Sequence, residues 1–394
     1  MKITGVTFHK VNIPLLAPTL WIGGVNRAWT RTIVRMQTDE GLEGLAETSG
    51  GDATLGQLQA LKEHFIGQDP FDRQKILNQF WYVPTYEGMS GKYAIQALET
   101  ACWDLMGKAL DRPLHQLIGG AVRQEIPTIA YVFFEPDADG GIGIARPEQV
   151  VEAAAELVAR HGLATIKLKG GVYEPEREVA TVRALRDAFP DHLLRFDPNA
   201  LWSVETTVRM ARPLEDAGLE WLEDPCWGVE GMSRARRDVR IPFATNMCCV
   251  QLDQLPTAIR AGAIDIQLLD VHDWGGLTWT LKGAAVCEAF QLGVGLHSSG
   301  EAGISTALYL HLAAALPTLP HAIDSLYHHQ SDDVITEPHR YLDGCFAVPE
   351  GPGLGVELDL EKLRHLESVN AAEGDTLSYT DFDRSNALRM PGMH

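Results

Sequence analysis

The chain has 394 residues, 45% of them apolar, and a formal charge of -20; that is enough length for a large core with a smaller domain attached. The charge argues against non-specific binding to nucleic acid or to an anionic membrane, and no Lys/Arg block offers a local exception. An anionic ligand would have to be held by a few local cations or by a metal.

The N-terminal "MKITGVTFHKVNIPLL" alternates like a strand, without a signal-type apolar run. No stretch approaches the roughly 20 apolar residues of a membrane span. The six cysteines (Cys102, Cys226, Cys248, Cys249, Cys287 and Cys345) are scattered apart from one adjacent pair, as reduced thiols would be. The expectation is a cytoplasmic protein.

In chain order, residues 2–14 and 30–48 read as strands, the second stretch turning at Gly41 in "TDEGLEG". Between them "LAPTLWIGGVNRAWT" shows no period and reads as a loop. From Ala94 to Leu110, Ile95, Leu98, Cys102, Leu105 and Met106 fall on one helical stripe that "DRP" at 111–113 ends. Residues 1–125 thus form an α+β domain. After "IPTIAYVFFE" the pattern becomes short apolar strands, each followed by an amphipathic helix, which implies parallel strands joined by crossovers. Lys169, Asp197, Glu223, Asn246, Asp270, His297 and Asp324 close successive strands at intervals of 23 to 28 residues. Such a series favours a (β/α)7β TIM-type barrel over residues 126–348, with its site at the C-terminal strand ends. A doubly wound open sheet is the alternative; no G-x-G-x-x-G follows its first strand. Residues 349–394 are charged and weakly patterned, and are expected to pack back on the first domain.

Each of these polar residues has an ordinary explanation by itself: Asp197 and Asn199 can cap a helix, Glu223 can pair with an arginine, His297 can be a satisfied core histidine. Barrel closure brings them into one mouth. Oxygens from Asp197, Glu223 and Asn246 on adjacent strands suit a hard cation of the magnesium kind, whereas zinc would ask for imidazole or thiolate. Asp270 and His297 form a carboxylate–imidazole dyad. In "TIKLKGG" Lys167 and Lys169 point the same way. The cationic neighbour, the metal and desolvation are expected to lower the Lys169 pKa and make it a base. Two bases facing each other beside a cation suit removal of a proton α to a carboxylate through an ene-diolate.

The motifs "KLK", "FDPN", "EDP", "FATN", the Asp270–His297 pair and "AID" together resemble the enolase superfamily and, within it, the mandelate racemase-like proteins; "AIQALETACWDLMGKAL" resembles that family's N-terminal capping domain. "KLKGG", "DPN" and "FATNM", with Asn246 where many relatives carry glutamate, are most similar to the glucarate dehydratase subgroup. The resemblance implies Mg held by Asp197, Glu223 and Asn246, with Lys169 and His297 as bases and Asp270 as the partner of His297. It places Lys167 and Asn199 against the substrate carboxylate, and Tyr131 and Asp324 near the substrate. The implied reaction is loss of water from an acid sugar to a 2-keto-3-deoxy acid, by a homo-oligomer. Departures touch specificity: "SSGEAG" follows His297 where glucarate dehydratases usually show an aspartate and an asparagine, "DPNA" replaces "DPNG", the segment 15–29 is this chain's own, and the chain is shorter. A racemase or epimerase uses the same two bases. A cycloisomerase does not usually require the histidine, and a non-catalytic binding barrel needs no opposed bases.

Overall fold

The computed structural model describes residues 1–136 and 143–376. The alternating N-terminal stretch folds into an antiparallel meander of β1 (Ile3–Trp21), β2 (Gly24–Thr38) and β3 (Glu43–Ser49) in that spatial order. The segment expected to be a loop is therefore mostly strand. Pairing resumes at Thr19–Asn26 after a register shift beyond Pro14–Ala28, and continues to Trp21–Gly24. The irregularity breaks the two-residue period by which a strand is read, and the prolines are tolerated because β1 is the sheet edge. At the tip of this hairpin the Leu20 N–H donates to the Phe134 carbonyl (2.8 Å), which fastens the meander to the rim of the second domain.

The helix Gly88–Leu110 starts six residues before its expected Ala94 and lies across the meander, burying Ile95, Leu98, Ala101, Cys102 and Leu105. Asp111 ends it in the left-handed region (φ 52). Its backbone comes close to β3 at Gly44, where a Cβ would meet the Ala101 carbonyl oxygen at 2.4 Å. Asp104 joins three segments: its carboxylate accepts from the Leu45 N–H, the Leu354 N–H and Lys108 Nζ, each at 2.7 Å.

The second domain begins with β4 (Glu125–Pro127), which pairs with β13 (Cys345–Ala347), itself paired with β12 (Tyr341–Leu342). Then follow seven parallel strands in sequential order: β5 (Ile129–Val132), β6 (Thr165–Lys169), β7 (Leu193–Asp197), β8 (Trp221–Glu223), β9 (Phe243–Thr245), β10 (Ile266–Leu269) and β11 (Gly293–Leu296). A helix follows each strand, as in Pro147–His161 and Pro175–Ala188. The gap between β11 and β5 is spanned by residues 322–324: the Ile323 N–H donates to the Pro127 carbonyl (2.8 Å) and the Asp324 N–H to the Leu296 carbonyl (3.1 Å). This closes a (β/α)7β barrel.

The last crossover helix, Gly303–Ala315, is buried over its whole length and correspondingly apolar, because it runs between the barrel and the meander. The helix Leu360–Glu373 packs against β1. Residues beyond Thr376, on which the expectation for the C-terminal segment also falls, lie outside the described residues. All six cysteines are free thiols. Among the described residues no helix is long and apolar enough to cross a membrane.

Because Gly44 is pressed against the Gly88–Leu110 backbone, Gly44→Ala is expected to destabilise the fold by about 1–3 kcal/mol through overpacking. Urea denaturation measures it. A change within about 0.5 kcal/mol, the range of an ordinary surface substitution, would contradict this packing.

Candidate active site

All seven polar strand-closing residues stand where the spacing puts them. Lys169, Asp197 and Glu223 end β6, β7 and β8, while Asn246 and Asp270 follow β9 and β10 directly. His297 follows β11, and Asp324 lies in the closing segment. "KLKGG" needs its glycines at this point. Gly171 has φ 76, and a Cβ on Gly170 would meet Glu178 Oε2 at 2.6 Å. The Glu178 carboxylate accepts from the N–H groups of Gly171, Val172 and Tyr173, so it holds the turn after β6; burial pushes it up to about 7.

The two lysines do face one way, but not into free space. Lys167 is wholly buried; its Nζ donates to both Glu223 oxygens at 2.7 Å and to Asp324 Oδ2 at 2.6 Å. Lys169 Nζ donates to Asp197 Oδ2 at 2.6 Å. Arg195 completes the group by donating to Asp324 Oδ1 at 3.0 Å. The expected lowering of the Lys169 pKa is therefore not what this arrangement produces. Burial and the Lys167 charge push it down, but Asp197 outweighs them and holds the ammonium above its ordinary value. Lys167 is likewise raised, since Asp324 and Glu223 overcome burial. The carboxylates of neighbouring staves lie under both amines, a relation that strand alternation does not reveal.

Asp270 and His297 form the expected dyad, with His297 Nδ1 2.9 Å from Asp270 Oδ2. Asp270 Oδ1 receives three donors: the Tyr309 hydroxyl (2.5 Å) and the N–H groups of His272 (2.8 Å) and Asp273 (3.3 Å). Burial opposes its ionisation, yet hydrogen bonds from His272 and His297 hold it well below the usual carboxylate range. For His297 burial again works against the charge, and Asp270 reverses the balance, raising it to about 9.

A cavity of about 390 Å³ opens at this end of the barrel, a size that suits a small ligand. Lys169 and His297 both line it, with Asn199, Asn246 and Tyr131. Lys167, Asp324, Asp197 and Glu223 are not among its lining residues; Lys167 and Asp324 are engaged with each other and with Glu223 and Arg195 behind its wall. From the meander, Trp21, Trp29 and Arg31 line the cavity; they belong to strands 130 or more residues away from the barrel motifs and carry no local signal. Other neighbours do have a nearby cue: His272 and Asp273 follow Asp270 in "DVHD", and Ser298 and Ser299 follow His297; of these Asp273, Ser298 and Ser299 line the cavity. At "DPNA", Asn199 and Ala200 are both left-handed (φ 59 each), and the Ala200 N–H donates to the Asp224 carbonyl at 2.6 Å. An alanine there carries a steric cost of about 1–2 kcal/mol that glycine would not.

The donor set fits a hard cation. The side-chain oxygens of Asn199 and Asn246 are buried and have no hydrogen-bond partner among the described residues, an arrangement that costs free energy unless something else supplies the positive partner. With Asp197 and Glu223 on the adjacent staves they make an all-oxygen set. Among the described residues there are two other groups of close metal-competent side chains, Asp270–His272–Glu301 and Asp270–Asp273–His297. Neither contains a buried oxygen without a partner of the kind that Asn199 and Asn246 present.

The raised His297 value has a sign that can be checked. A folded value of about 9 against an ordinary 6.5 means that its stabilising contribution is complete below 6.5 and is lost as pH rises through 9. In metal-free protein, the stability advantage of wild type over His297→Asn should shrink between these limits when followed by urea denaturation. Parallel pH profiles would contradict the dyad's electrostatics.

Comparison with known proteins places the two domains in one family. Residues 3–119 match the mandelate racemase / muconate lactonizing enzyme N-terminal domain, and residues 149–363 the enolase C-terminal domain-like family. The probable glucarate dehydratase of Streptomyces coelicolor is 37% identical, over 95% of this chain and 92% of its own. An enolase from Thermobispora bispora solved with magnesium and formate is 37% identical at a TM-score of 0.92, covering 99% of this chain and 98% of that one. One from Mycobacterium smegmatis complexed with tartrate is 37% identical at 0.92, covering 98% and 95%. Muconate cycloisomerase 1 of Rhodococcus opacus (28%) and the N-succinyl-L-Arg/Lys racemase of Bacillus cereus (26%) also align over more than nine tenths of the chain. The chain belongs to the enolase superfamily, in its mandelate racemase and muconate lactonizing enzyme group.

Proposed function

We propose that the protein is a magnesium-dependent lyase that dehydrates an acid sugar, an aldarate or aldonate, to a 2-keto-3-deoxy acid. The observation that carries this reading is the presence of an amine, Lys169, and an imidazole, His297, on the wall of one cavity with the unpartnered oxygens of Asn199 and Asn246. The glucarate dehydratase relative and the tartrate-bound and magnesium-bound neighbours support the substrate class and the metal.

Asp197, Glu223 and Asn246 would hold the cation, which supplies positive charge against the two negative charges of an ene-diolate. The remaining chemistry belongs to the chain. One base takes the proton α to the carboxylate as the C–H bond breaks. The β-hydroxyl then leaves with a proton from the opposed group, and the enol so formed becomes the 2-keto acid, with water as the other product. His297, held as an imidazolium up to about pH 9 by Asp270, suits the second role; Lys169 would take the first once Asp197, engaged with a cation, no longer holds its ammonium above the ordinary value. Tyr131 and the tryptophans of the β1–β2 hairpin bound the cavity around the sugar. A racemase or epimerase would need only that the second group return the proton to the α-carbon.

Incubation of the enzyme with magnesium and a panel of aldonic and aldaric acids in deuterated water is the test. Formation of a 2-keto acid is expected, and an α-epimer without a keto product would identify the racemase instead. Lys169→Ala and His297→Asn should each lower turnover by about 10²–10⁴-fold or confine it to one α-configuration. Undiminished turnover in both variants, or no exchange of any α-proton, would overturn the proposal.

A further inference from the structure

Behind the His297–Asp270 dyad, the described residues hold a continuous buried chain of polar side chains that reaches the meander. Arg31 on β2 is 2% exposed; its Nε donates to Glu47 Oε1 on β3 at 2.7 Å, and its Nη2 lies 3.2 Å from His272 Nε2. His272 Nδ1 lies 3.1 Å from the Tyr309 hydroxyl, which in turn is 2.5 Å from Asp270 Oδ1. Glu47 is itself fixed by the N–H groups of Ala302 (2.8 Å) and Ser305 (2.9 Å) at the start of the helix that carries Tyr309.

The direction of every hydrogen bond in this chain follows from its first member. A guanidinium has only donors. A proton on His272 Nε2 would face an Arg31 N–H, so Nε2 accepts and the ring carries its proton on Nδ1. That proton faces the Tyr309 oxygen at 3.1 Å, with the carboxylate oxygen Asp270 Oδ1 at 3.3 Å beside it. The hydroxyl also accepts from the Val271 N–H at 3.1 Å, which uses both of its acceptor positions and leaves its own proton for Asp270. Asp270 Oδ1 is thereby held, and Oδ2 is left to accept from His297 Nδ1, so that His297 Nε2 is the atom left for proton transfer.

We propose that Tyr309 is a positioning residue for proton transfer at His297, and that Arg31, through His272, sets the polarity of the chain by which it acts. The inference rests on the reading of His297 as one of two bases. Tyr309 touches no substrate atom in this role; it fixes the carboxylate that fixes the imidazole tautomer. It also makes a strand of the capping domain part of the dyad's support, because Arg31 lines the cavity as well.

The test is the imidazole tautomer of His297 in substrate-free enzyme labelled with ¹⁵N-histidine, read by NMR above its titration range and assigned by the signal lost in His297→Asn. Wild type should show the Nδ1–H form. Tyr309→Phe should give a mixture of tautomers, and His272→Gln, which keeps the tyrosine but removes its outer donor, a smaller change in the same direction. The second variant decides the matter if the first does not fold. With an acid sugar that the wild type turns over, Tyr309→Phe should lower proton exchange on the His297 face by up to about 10²-fold, with KM and exchange on the Lys169 face unchanged. An unaltered His297 tautomer in the variants overturns the positioning role. If the tautomer shifts but His297→Asn leaves exchange intact, the two-base reading fails instead.

Discussion

The barrel mouth depends on a set of buried charges that no member could hold alone. Lys167 and Arg195 share Asp324, Lys167 also spans Glu223, and Lys169 leans on Asp197. Taking an ammonium or a carboxylate out of water costs several kcal/mol per ion, on the order of what breaking such a pair removes. The lattice is therefore tolerable only as a whole, with its geometry held by the ends of consecutive staves. That makes it a rigid floor. Asp197 and Glu223 are at once partners of the lysines and members of the oxygen set that fits a cation, so the positive charge now on the amines and the charge of a bound ion compete for the same carboxylates.

Above that floor the site is divided between two domains. The barrel contributes the reactive groups, and the hairpin of β1 and β2 contributes the aromatic wall and Arg31. The Leu20–Phe134 hydrogen bond and the Arg31–His272 contact connect the two halves at the rim and in depth. A cavity bounded in this way can exclude water from an ene-diolate while a single scaffold holds both proton-transfer groups. The cavity lining accordingly combines Trp21, Trp29 and Arg31 of the meander with Ser298 and Ser299 of the segment after His297.

Period and spacing made much of this legible. Strand–helix alternation with a polar residue at each strand end determined the barrel, because a parallel strand can be followed only by a crossover that returns to the same edge. The same rule brought Lys169, Asp197, Glu223, Asn246, Asp270 and His297 to one face. It also identified the dyad, since residues closing adjacent staves must be neighbours. These are local consequences of backbone geometry, and a single chain contains them.

Three things were decided only by tertiary structure. Residues 15–29 became strand because Thr19, Leu20 and Trp21 found partners across an irregular pairing whose register no local pattern records. The lysines kept their charge because carboxylates from three other staves meet beneath them, and the sum of such distant fields is not a property of any segment. Arg31 reached His272 across 241 positions. The chain's own pattern thus determined which chemistry could gather at the barrel mouth. Packing of the capping meander decided which groups face the cavity, which neutralise one another behind it, and which hold the imidazole, because those outcomes depend on distances between elements that only the folded state brings together.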